Sequence, residues 1–146
     1  MAKRLAGLFV LGIIIAFVFG PDGPLGGFWR PLPGGEEPSG AMLPAFMAVT
    51  LAEGLAMGAA AFVLLYGRSW FTRLVSSTRL ATLGWLSTAY LLVSWWPHTA
   101  MHRHFGDRLG WLLAIEWIFH VGAMAGIGVL VILLAQAAKE RQPVAS

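Results

Sequence analysis

Residues 109–137 read LGWLLAIEWIFHVGAMAGIGVLVILLAQA, with Glu116 as their one charged side chain and His120 one helical turn beyond it. At ~1.5 Å rise per residue, a helix of this length outruns the roughly 30 Å hydrocarbon core of a bilayer. Lipid offers a backbone no hydrogen-bonding partner, so a segment that crosses it is helical. This one stretch therefore decides the fold class, and it also sets two ionisable groups where they are costly, roughly 2.5–3.5 kcal/mol each on insertion scales.

The rest of the chain agrees. Its 146 residues are 58% hydrophobic and only 12% charged, against about a quarter charged in soluble domains. Three further apolar segments precede the first, at 5–20, 43–66 and 80–97. The expectation is an all-α, integral membrane four-helix bundle forming one transmembrane domain over 1–146, with the lipid bilayer as its solvent. The 5–20 segment reaches only ~23 Å and follows Lys3 and Arg4, so it reads either as a retained anchor or as a cleaved signal. In the second case Val18 and Gly20 are the small cleavage-site residues and three helices remain.

Residues 21–42 are dense in Gly and Pro and read as an outer loop with neither helix nor strand. Phe28 and Trp29 are placed to dip into the interface, and Glu36 and Glu37 to keep the loop wet. Lys3, Arg4, Arg68, Arg73, Arg79, Lys139 and Arg141 fall on one side of the spans, and Arg30, Arg103 and Arg108 on the other. The positive-inside rule then puts both termini in the cytoplasm, or the N-terminus outside if the first segment is removed. It puts the 21–42 and 97–108 loops outside. The pI near 10 comes from these flanking residues, which meet lipid headgroups, so no nucleic-acid partner is implied. With no Cys, thiolate nucleophiles, Cys-ligated clusters and blue-copper sites are excluded.

Counted from the outer surface, Glu53 lies ~14 Å deep, Glu116 about 10 Å and His120 about 16 Å. His98 sits at the outer end of the third segment, with His102 one turn further if the chain stays helical past Pro97. Glu116 and His120 share a face, as do Ser87, Tyr90, Ser94 and His98, and Thr50 precedes Glu53 by three. Polar stripes in such helices face the bundle interior. Gly54 and Gly58, and Gly122 and Gly126, form small-xxx-small patches. They suggest that the second and fourth segments cross there, holding Glu53 against Glu116 and His120.

Glu and His at helical spacing are good metal-ligand geometry, and carboxylate plus imidazole suits Zn, Fe or Mn. The expected ligands are Glu53, His98, His102, Glu116 and His120, with Thr50, Tyr90 and Ser94 orienting them. Zn or Fe ranks first. Copper draws on Met101, Met42 and Met47 beside the histidines. A haem b between His98 and His120 ranks lower, because straight helices leave them about 16 Å apart in depth. A Ser94–His98 nucleophile has no visible oxyanion donor. The competing readings are a proton relay or a structural network of buried polar groups, the latter in an accessory subunit paired with a membrane protein partner.

Overall fold

The computed structural model describes residues 2–21, 23–29, 40–105 and 113–142. Its elements are six helices: α1 (Ala2–Phe19), α2 (Leu43–Phe62), α3 (Arg68–Leu74), α4 (Thr78–Val93), α5 (Trp95–Phe105) and α6 (Leu113–Glu140). No strand occurs among the described residues. Helical turns extend α2 at both ends, giving one rod over Gly40–Leu74. That rod, α1 and α6 are each long and apolar enough to cross a membrane, with mean hydropathies of 1.9, 2.1 and 2.4 over an 18-residue stretch of each.

Two local features shape the bundle. Pro44 enters α2 in its first turn, where the missing N–H costs nothing. Pro97 acts differently, because it can neither donate to the Val93 carbonyl nor avoid crowding it. The helix accordingly breaks at Ser94, leaving α4 with 16 residues and starting α5 at Trp95. In the long rod, Val63–Gly67 forms one wide π turn, and the Trp85 indole N–H donates to the Val63 carbonyl at 2.7 Å.

Glycine determines which helices approach. Gly54 and Gly58 pack on α1: a Cβ at either would come within 2.6 Å of the Ile13 or the Phe9 Cα. Gly122 instead receives the Tyr90 ring, and Gly126 the Leu91 side chain, both from α4. The main pairings are thus α1 with α2 and α4 with α6. The expected crossing of the second and fourth segments at their glycine patches does not occur. Such a patch marks a close approach without naming the partner, and here each pairs with a different helix.

The outer loop also differs from expectation. Short 3₁₀ turns form at Gly26–Trp29 and Gly40–Met42. Trp29 is not an interfacial anchor but is buried against Ala100, Met101 and Trp96, its indole N–H donating to the Phe19 carbonyl at 3.1 Å. That contact ties the end of α1 to α5. At the other end, Glu140 accepts from the Ser76 N–H and hydroxyl, both at 2.8 Å, fixing the end of α6 to the α3–α4 turn. Arg30, Glu36, Glu37, Arg108 and the 109–112 start of the last segment lie outside the described residues.

Candidate metal centre

The bend at Ser94 brings α5 across α6, so that two i, i+4 pairs meet. His98 and His102 come from α5, and Glu116 and His120 from α6. The His98 Nε2 and His102 Nε2 lie 3.2 and 3.1 Å from one oxygen of Glu116, Oε2. His120 Nδ1 lies 3.3 Å from Oε1 and 3.0 Å from the Glu116 backbone carbonyl. His98, Glu116 and His120 each offer a ligand atom, all within 4.8 Å of one another.

His98 is the most confined of the three rings. Phe119 stacks on it at 3.8 Å and 19°, and Trp95 meets it edge to face. Although Nε2 is close to Glu116, it lies off a hydrogen-bonding line, so this buried nitrogen has no hydrogen-bond partner. Burial pushes the His98 imidazole below its ordinary pKa, against the opposing pull of the Glu116 carboxylate. The neutral ring so favoured is the form that binds metal. Access differs across the centre, since the His120 side chain is 53% exposed and that of His98 14%.

The remaining predicted residues have other neighbours. Tyr90 donates its hydroxyl to the Ile118 carbonyl, holding the α6 backbone between Glu116 and His120 rather than touching a ligand ring. Ser94 caps α4 and is buried, its Oγ without a partner. Thr50 accepts from Arg103 Nη1 at 2.9 Å. Glu53 is 7% exposed and stands in that second group, hydrogen-bonded to Thr99 and close to the Arg103 charge. It is not part of the His98–Glu116–His120 set. Arg103 falls in the 97–108 stretch that the sequence marks as loop, and Thr99 carries no charge to single it out, yet 99 and 103 repeat the 98 and 102 spacing one position later.

His98 lies far closer to His120 than the depth offset of about 16 Å predicts. Its ring centroid lies 5.1 Å from that of His120, edge to face. The 16 Å offset assumed straight helices, and the break before Pro97 removes it. A haem iron needs its macrocycle interposed between two axial imidazoles, and the two rings as placed leave no such gap. Met101, considered for copper, is fully buried against Trp29 and Ala100, while Met42 and Met47 are about half exposed.

Two imidazoles and a carboxylate make a three-ligand set that leaves coordination positions open, as catalytic zinc sites and two-histidine, one-carboxylate iron sites do. Compared with protein-family models, curated proteins and solved structures, the chain matches none.

Proposed function

We propose that this is an integral membrane protein that holds a transition metal, Zn or Fe, at His98, Glu116 and His120. His102, through its contact with Glu116 Oε2, orients the carboxylate or supplies a fourth ligand. With both termini cytoplasmic, the centre faces the outside near the membrane surface, where an open coordination position would activate water or oxygen. The observation that carries this reading is the surplus of nitrogen around one carboxylate: three imidazoles converge on Glu116, and the buried His98 Nε2 has no hydrogen-bond partner. A bound cation would use that nitrogen and hold the imidazoles and the carboxylate together.

Elemental analysis of detergent-purified protein tests it, with close to one metal per chain expected and loss of that metal in His98→Ala or Glu116→Ala. A second reading rests on Tyr90, whose hydroxyl bond to the α6 backbone is what a purely structural network needs. In that case the protein is an accessory subunit of a larger membrane complex. Metal-free protein that depends on a co-purifying partner for its stability would establish that reading instead.

A further inference from the structure

Glu53 belongs to a second polar group, set about 100° around α5 from the histidines. Its carboxylate takes a hydrogen bond from the Thr99 hydroxyl, while its Oε1 is buried without a partner. Arg103 lies close enough to act on that charge and is held from two sides. Its Nη1 donates to Thr50, and its guanidinium covers the Phe46 ring at 4.5 Å.

A cleft of about 210 Å³ reaches this group. Ala16, Phe17, Leu43 and Met47 line its apolar walls, and Thr50 and Arg103 are its polar residues. Water-sized space therefore extends to the two residues beside Glu53. The other elements packed on α2 bring little charge to this level. α1 sets Gly12 and Ile13 against Gly54, with Lys3 and Arg4 at its far end. The ionisable groups of α4 are Arg79 in its first turn and Tyr90, whose hydroxyl is engaged with α6. Tyr66 lies beyond α2 in the π turn.

One hydrogen bond and a neighbouring cation offset only part of what a carboxylate loses on leaving water. A proton on Oε1 removes the charge altogether. We propose that Glu53 is a proton-binding site, reached through the cleft past Thr50 and Arg103. It is separate from the metal centre and does not depend on it. In this role Thr99 and Arg103 stabilise the ionised form, and the buried, partnerless oxygen carries the proton.

Infrared difference spectroscopy of the purified full chain, stepped in pH and repeated after metal removal, tests the proposal. The expected result is a protonated-carboxyl band that shifts on exchange into heavy water, fades as pH rises and is absent in Glu53→Gln. Thr99→Val removes a donor to the ionised form and should move the midpoint to higher pH, by up to about one unit. Because that variant keeps the carboxyl, it remains informative if Glu53→Gln fails to fold. The same band in metal-stripped protein keeps the outcome independent of the metal reading. A spectrum in which no such band responds to Glu53→Gln or Thr99→Val, at any pH where the chain stays helical, overturns the proposal.

Discussion

His98 and His102 on one face of α5 crowd a carboxylate that is partly open, whereas Thr99 and Arg103, one position along, meet a carboxylate that is closed off. Three imidazole nitrogens converge on Glu116, whereas Glu53 has fewer donors than its oxygens can use. A surplus of lone pairs calls for a cation with several coordination positions, and a shortage of donors calls for a proton. One short helix, packed against both α2 and α6, presents both problems because i, i+4 pairs offset by one residue face different neighbours.

The sharpest way to break this contrast is to exchange the two acids. Glu116→Ala is expected to lower metal retention by more than about a hundredfold, while Glu53→Ala leaves metal content unchanged, both read by elemental analysis. Equal losses in the two variants would merge the centres into one. The next largest effect is on packing. Gly54→Leu drives a side chain into α1 and should destabilise the α1–α2 pair by roughly 1–3 kcal/mol in detergent melts. Gly128→Leu, at a position with open space around it, should melt like the parent chain.

Tyr90→Phe removes the bond to the α6 backbone without creating a cavity. It should cost about 1 kcal/mol and weaken metal binding by around tenfold, measured by competition with a chelator. Smallest is the acid response of the metal-free protein. The folded state holds the His98 pKa low, so the unfolded chain takes up a proton there first as pH falls through the ordinary imidazole range near about 6.5. Stability should therefore drop across that window, and His98→Gln should flatten the drop in a series of melts.

The sequence showed the helical periods, the Glu116–His120 face and the costly polar groups, because hydrophobic runs and i, i+4 spacing are local properties. It did not show partners. The spacing of the glycine patches suits one crossing, yet Gly54 meets Ile13 while Gly122 meets Tyr90, a choice made by the whole bundle. Nor did it give the position of His98, because depth counted along a straight rod fails once a proline redirects the chain. Trp29, which the sequence places at the interface, joins the core through its packing on Ala100, Met101 and Trp96.

The π turn at Val63–Gly67 carries a consequence for engineering. A π turn fits one extra residue into a single wide turn, so everything after it sits about 100° behind where an unbroken α-helix of the same sequence would carry it. In that phase Phe71 and Leu74 point into the cluster of Val75, Ala81, Leu133 and Ala137. Removing a single residue from 63–67 would regularise the rod and also free the Trp85 indole from the Val63 carbonyl. Phe71 would keep its facing towards Leu133, because the shortened α-helical stretch turns through nearly the same angle, so such a deletion removes the bulge and spares the core at Val75, Ala81, Leu133 and Ala137.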